Sequence, residues 1–308
     1  MIYYHICQHC EQISILHHIL FYFMPWFFYK SGMYFKHNIN YLEALKKDSR
    51  ALLMPYVSFG VIGLFIHFLI IAILGDDNWI HYVSFPKHIL LYDSIPGNVP
   101  LWFLISLFVV KNIYNYFVDR INCLVLIIVG FAIAYCGYFF EIKIPRWLFN
   151  IAFGLCFYLV GSKLRKYQYS KFVFTLSIIT CTCISILCPS YVDMFPNILK
   201  YGNYLVYFFY AISCIVIVNN LSKIIPLHFY DFLIFRGLSY LGQYSMFYYV
   251  SHWIWICIFE VVFADFLGWE SNSQAYYIYM VLSCFLILPV IFKIFKNNLV
   301  FKKMLGYK

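Results

Sequence analysis

Charge is what this chain has least of: Asp, Glu, Lys and Arg together make up 11% of its 308 residues, against 64% hydrophobic. A soluble domain carries about 25% charged residues, so that scarcity excludes a soluble globular protein. With a mean hydropathy of +0.77 it leaves a polytopic membrane protein. Acidic residues are rarer still, 13 against 22 basic ones. No loop is long enough to hold a second domain, and no segment repeats, so a carrier built from two matching halves gains no support from the sequence. Glycine, with 14 residues, and proline, with 10, are sparse.

Windows of about 20 residues, matched to the hydrocarbon thickness of a bilayer, predict nine spans, near 13–35, 51–74, 100–118, 122–140, 147–162, 172–190, 201–218, 243–264 and 275–293. The fold class is therefore all-α, a polytopic membrane helical bundle, and residues 1–308 read as a single membrane domain. Between the spans stand turn and charge signals such as "GDDNW", "IPGN", "EIKIPR", "KLRKYQYSK" and "CPSYVDMFPN". Alternate segments 36–50, 119–121, 163–171, 219–236 and 293–308 hold 16 of the 22 basic residues, and the opposite set holds four. The positive-inside rule makes the first set cytoplasmic, with the C-terminus inside. Nine spans then put the N-terminus outside, which predicts a tenth helix upstream of Met1; a truncated chain is the other possibility.

The formal net charge of +9 gathers in the cytoplasmic segments, so it points to anionic lipid headgroups rather than to nucleic acid. Most of the 11 cysteines, among them Cys123, Cys156, Cys181, Cys214 and Cys284, fall inside spans, where a thiol packs as a small apolar group. "HICQHC" at 5–10 interleaves two histidines with a C-x-x-C pair; no second cluster completes a metal site, and no metal is expected. More informative are the ionisable residues inside spans: Lys30, His67, Lys111, His252 and Glu260. A charge at mid-bilayer costs about 2.5–3.5 kcal/mol, so such groups tend to face a polar cavity. Lys30 and Lys111 are near enough to span ends to snorkel. His252, flanked by Ser251 and several tyrosines, has no such exit.

Four stretches give the chain a familiar order. "FMPWFFYKSGMYFK" at 23–36 couples Met-Pro, a run of aromatics and Ser-Gly; "KKDSRALLMPY" at 46–56 is a basic segment ending in Leu-Leu-x-Pro-Tyr; "GNVPLWFLISLFVV" at 97–110 opens a helix with Pro-Leu-Trp-Phe-Leu; and "LSYLGQYSMFYYVSH" at 238–252 closes on a histidine. A weaker echo is "FYLVGSKLRK" at 157–166. In these stretches the chain resembles the membrane acyltransferase family 3, integral-membrane enzymes that move acyl groups, often acetyl, from acyl-coenzyme A to sugars of cell-surface polysaccharides.

The resemblance implies an O-acyltransferase of the inner (plasma) membrane. Acyl-CoA would be a co-substrate rather than a cofactor, a glycan or lipid-linked sugar the acceptor, and membrane lipids the surroundings. It places the catalytic histidine some 15 to 20 residues before Met-Pro: His5 stands 19 before Met24, with His9, 15 before it, in reserve. A histidine titrating near neutrality can take the acceptor hydroxyl's proton as that oxygen attacks the thioester. On the donor side the expected residues are Lys46, Lys47 and Arg50, which suit phosphate, with Lys30 reaching toward them and Ser31 beside Gly32 allowing close helix approach. Trp102, His252 and Glu260 are expected around the cavity, His252 with a catalytic part. A polytopic transporter, or an inactive relative, stands as the alternative.

Overall fold

The computed structural model describes residues 21–36, 40–74, 95, 97–139, 146–193, 198–224, 232–269 and 274–307. His5 and His9, with the rest of "HICQHC", lie outside them.

These residues are almost wholly helical. In chain order the helices are α1 (Phe23–Met33), α2 (Tyr41–Asp48), α3 (Met54–Leu74), α4 (Trp102–Phe117), α5 (Cys123–Phe139), α6 (Arg146–Leu164), α7 (Lys171–Leu187), α8 (Tyr204–Ile224), α9 (Leu233–Gln243), α10 (Ser245–Glu260), α11 (Gln274–Phe295) and α12 (Leu299–Met304). A two-stranded antiparallel hairpin, β1 (Tyr191–Asp193) and β2 (Ile198–Tyr201), falls between α7 and α8. Short polar side chains start several helices. Ser170 Oγ accepts the Val173 N–H, and Asn122, Asn203 and Asn298 accept backbone N–H groups two residues on, so the first-turn donors find partners.

Among the described residues, six helical stretches are long and apolar enough to cross a membrane: Tyr41–Leu74, Val99–Phe117, Trp147–Leu164, Tyr204–Lys223, Ser245–Phe266 and Ile278–Phe295. Cys123–Cys136 and Lys171–Leu187 are shorter apolar helices. Each expected span from 51 onward thus finds a helix within a few residues of its limits, although two of them are shorter than a full crossing.

Three segments differ from their reading as loops. Residues 41–53 continue as helix straight into α3, through a π-helical turn at Ser49–Leu53 in which the Met54 N–H reaches the Ser49 carbonyl. Pro55 explains the wide turn, since it offers no N–H and its ring crowds the carbonyl four residues earlier. The stretch assigned to 219–236 holds the end of α8 and the start of α9. The 188–197 segment contributes a strand, tied across the hairpin by a Lys200–Asp193 ion pair at 4.0 Å.

The contacts group the chain into two compact units, residues 46–105 with 237–307 in one and residues 21–45 with 106–236 in the other. The second is built on the crossing of α1 and α6. A methyl group on Gly32 would fall 2.0 Å from the Tyr158 carbonyl oxygen, and one on Gly161 would fall 2.1 Å from that of Tyr29. The two backbones therefore touch, as small residues allow. This confirms the close approach expected at Ser31-Gly32. Around the crossing Gln168, wholly buried, accepts from Tyr29 Oη (3.5 Å) and Asn219 Nδ2 (3.3 Å), while Asn219 Oδ1 takes the Trp26 indole N–H (3.1 Å). Asn220 Nδ2 donates to the Gln168 backbone carbonyl at 2.8 Å. Each of these amides thus finds at least one hydrogen-bond partner within the apolar bundle.

Candidate functional site

In the unit formed by residues 46–105 and 237–307, two features carry chemistry: a cavity at the N-terminal end of α3 and a buried histidine on α10.

The cavity encloses about 780 Å³. Its apolar wall is Leu53, Met54, Val57 and Leu299, and its cations are Arg50, Lys302 and Lys303, with Tyr307 beside them; among the described residues no acidic side chain lines it. The volume falls within the range of small-molecule sites. Arg50 stands in the π turn at the start of α3, whereas the other cations come from α12, some 250 residues later.

Local sequence explains how α12 reaches that place. Asn298 Oδ1 accepts the N–H groups of Val300 (2.8 Å) and Phe301 (3.2 Å) and starts the helix. Phe301 packs its ring against Phe247, Phe292 and Phe295, with centroids 5.6, 6.3 and 5.8 Å away. At the other end Gly306 adopts φ +75°, the Gly306 N–H bonds the Lys303 carbonyl and the Tyr307 N–H bonds that of Lys302, each at 2.9 Å. This paired closure of a helix end needs a left-handed residue, and glycine enters that region without strain. Gly306 also lies against the first unit's own helix: a methyl there would fall 2.3 Å from the Arg50 carbonyl oxygen. The tail is thereby fixed beside Arg50. Burial, with Tyr244 adding to it, raises the Tyr307 phenol above its ordinary pKa, so the hydroxyl stays a neutral hydrogen-bond donor.

The buried histidine is held by a turn. Asn98, wholly buried, donates Nδ2 to the carbonyls of Val250 (2.8 Å) and Phe59 (3.3 Å), which ties the 97–101 turn to both α10 and α3. Tyr249 Oη donates to the Pro100 carbonyl, and its ring meets Phe103 edge-on at 5.8 Å. One residue pair further along α10, His252 is wholly buried, with Nδ1 2.6 Å from the Tyr249 carbonyl and 3.1 Å from that of Tyr248. A carbonyl only accepts, so Nδ1 carries the proton and Nε2 is the basic nitrogen. Trp102, at the start of α4, is buried in the same unit.

Of the expected donor-side residues, Arg50 lines the cavity. Lys46 and Lys47 are exposed on α2, about one turn away along the same continuous helix. Lys30 and Ser31 are half-buried on α1 in the other unit, where Lys30 interacts electrostatically with Lys223. Glu260, expected to line a cavity with Trp102, is instead exposed at the end of α10, where the helix widens into the π-helical segment Val261–Phe266. The buried residues of α10 end at Phe259, and a residue one step on turns away from the packed side.

Sequence reasoning missed Lys302, Lys303 and Tyr307 as site residues, and Asn98 as a clamp. "KKMLGY" did contain a signal: two cations before a glycine mark a helix end. The same lysines had an ordinary explanation as orientation signals of the tail. No family description, curated protein or solved structure matches the chain, and among the described residues no cluster of His, Cys, Asp or Glu could hold a metal ion.

Proposed function

We propose that this protein is a membrane O-acyltransferase that moves an acyl group, acetyl or longer, from acyl-CoA to a hydroxyl of a cell-surface or lipid-linked glycan. The observation that carries the reading is the cavity of about 780 Å³ that Arg50, from the basic stretch that resembles the family's segment leading into its third helix, lines together with apolar side chains. A coenzyme A thioester has the matching division, phosphates at one end and a less polar arm at the other. In the membrane the donor approaches from the cytoplasmic face, which the basic segments mark, and the acceptor from the opposite one.

In the reaction a histidine Nε2 takes the acceptor's hydroxyl proton as the oxygen bonds to the thioester carbonyl carbon. The tetrahedral intermediate collapses with cleavage of the C–S bond, and the histidine returns the proton to the departing sulfur, leaving an ester and free coenzyme A. His5 is the base by its distance from Met24. His252 supports the same chemistry by its burial and by the tautomer that leaves Nε2 basic.

Membranes containing the protein, given radiolabelled acetyl-CoA and cell-envelope glycan, are expected to release coenzyme A and label the glycan. His5→Ala should reduce the rate by 100-fold or more, within the range of about 10²–10⁴ for a general base. Labelling that survives both His5→Ala and His252→Ala would end the reading. A carrier is the second reading, favoured by the helical interruptions at Ser49–Leu53 and Val261–Phe266; it predicts solute uptake without thioester consumption.

A further inference from the structure

We infer that the C-terminal helix α12 forms half of the donor site: Lys302 and Lys303, together with Arg50, hold the phosphates of a coenzyme A thioester, and the wall of Leu53, Val57 and Leu299 holds its less polar arm. The inference rests on the acyltransferase reading and assigns its donor to a site that joins the two ends of the chain.

Three observations carry it. The first is charge. Arg50, Lys302 and Lys303 line one cavity, with no acidic side chain among its described walls, and phosphate oxygens are acceptors that lysine and arginine bind strongly. The second is construction. A tail needed only to mark the cytoplasmic side would require no fixed place, yet α12 is capped by Asn298, clamped through Phe301 onto α10 and α11, closed by Gly306, and pressed against the Arg50 carbonyl. Lys302 is half-buried as a result, while Lys296, on the same stretch of chain, is exposed and absent from the cavity. The third is size. About 780 Å³ far exceeds what an acetyl group occupies, so the space fits the arm that bears the thioester and leaves room for a longer chain.

Tyr307 adds a neutral donor at the same rim, suited to an oxygen of the phosphate or of an amide along the arm. Arg50 then plays two parts, as a wall of the cavity and, through its carbonyl, as the seat of Gly306.

The test uses the full chain in nanodiscs of phosphatidylcholine, with coenzyme A titrated calorimetrically and pantetheine, which lacks the phosphates, as the comparison. The combined variant Lys302→Ala, Lys303→Ala is expected to weaken coenzyme A binding at least tenfold and to flatten its salt dependence, while pantetheine binding stays as it was. Lys296→Ala, which removes a tail charge away from the cavity, should bind coenzyme A as the native chain does. If the double variant binds coenzyme A normally and still acylates glycan, the α12 assignment is wrong and the acyltransferase reading survives. Where the native chain neither binds coenzyme A nor transfers an acyl group, that reading falls and takes the donor assignment with it. Should phosphatidylglycerol in the nanodisc displace coenzyme A, and lose that power in the double variant, the cavity is a lipid seat and the proposal is overturned.

Discussion

In residues 21–45 and 106–236, α1 lies backbone to backbone on α6, and a wholly buried glutamine joins indole, phenol and amide groups into one network. In residues 46–105 and 237–307 the packing leaves a cavity instead, lined by Arg50, Lys302 and Lys303 together with apolar side chains, while a histidine lies buried on α10. In the first unit buried amides hydrogen-bond to one another and to aromatic side chains; in the second, basic side chains from α12 and from the start of α3 line one cavity, with no acidic side chain among its described walls. The contrast is between a unit closed by its own hydrogen bonds and one that keeps open space.

The largest effect expected from breaking this contrast is in the closed unit. Gly32→Leu puts a side chain where the Tyr158 carbonyl already lies, and backbone cannot yield as a side-chain tip can. It should destabilise the protein by about 3 kcal/mol or more, read as loss of the monodisperse species in detergent and a lower melting temperature. An unchanged melt would mean that α1 and α6 do not touch at Gly32.

Next in size is Gln168→Leu, which leaves the Tyr29 hydroxyl and an Asn219 N–H without their acceptor. A cost of about 1–3 kcal/mol is expected, seen in chemical or thermal unfolding, with coenzyme A binding by folded protein unaltered. Equal stability would show that the amide network only fills space.

The smallest effect belongs to Tyr307 and sharpens the comparison from the other side. Its phenol is held above the ordinary value by burial, so the folded state keeps a proton that the unfolded chain gives up. Stability is then intact below pH about 10, the ordinary tyrosine value, and falls as pH climbs above it. Tyr307→Phe should remove part of that alkaline loss in a melting series from pH 8 to 11 and leave the neutral-pH melt within a degree or two. A steeper alkaline loss in the variant would contradict the burial of this phenol.

Much of the fold was legible because hydrophobic length is a local property. Apolar runs of about 20 residues predicted α3 to α8, α10 and α11 within a few residues, whereas α9 and α12 were not foreseen. The segments misread as loops fail for a common reason. Residues 41–50 are polar enough to stand in water, and nothing local says that a helix can pass through Ser49–Leu53 by widening rather than stopping before Pro55. Of the residues named from sequence, Arg50 lines the cavity and His252 is buried on α10. Glu260 was named by the same logic and is exposed, since the burial of a helix end depends on which neighbour packs there. Lys302 and Lys303 were passed over because a basic tail has an ordinary topological meaning.

Composition and the spacing of apolar runs were enough to determine a helical membrane protein and the limits of most of its helices, because burial in hydrocarbon acts on each segment by itself. The tertiary structure decided which of many cations share a cavity. Arg50 and Lys302 stand some 250 residues apart, and they share it only because Phe301 and Gly306 find their seats on helices that the rest of the chain has already set in place.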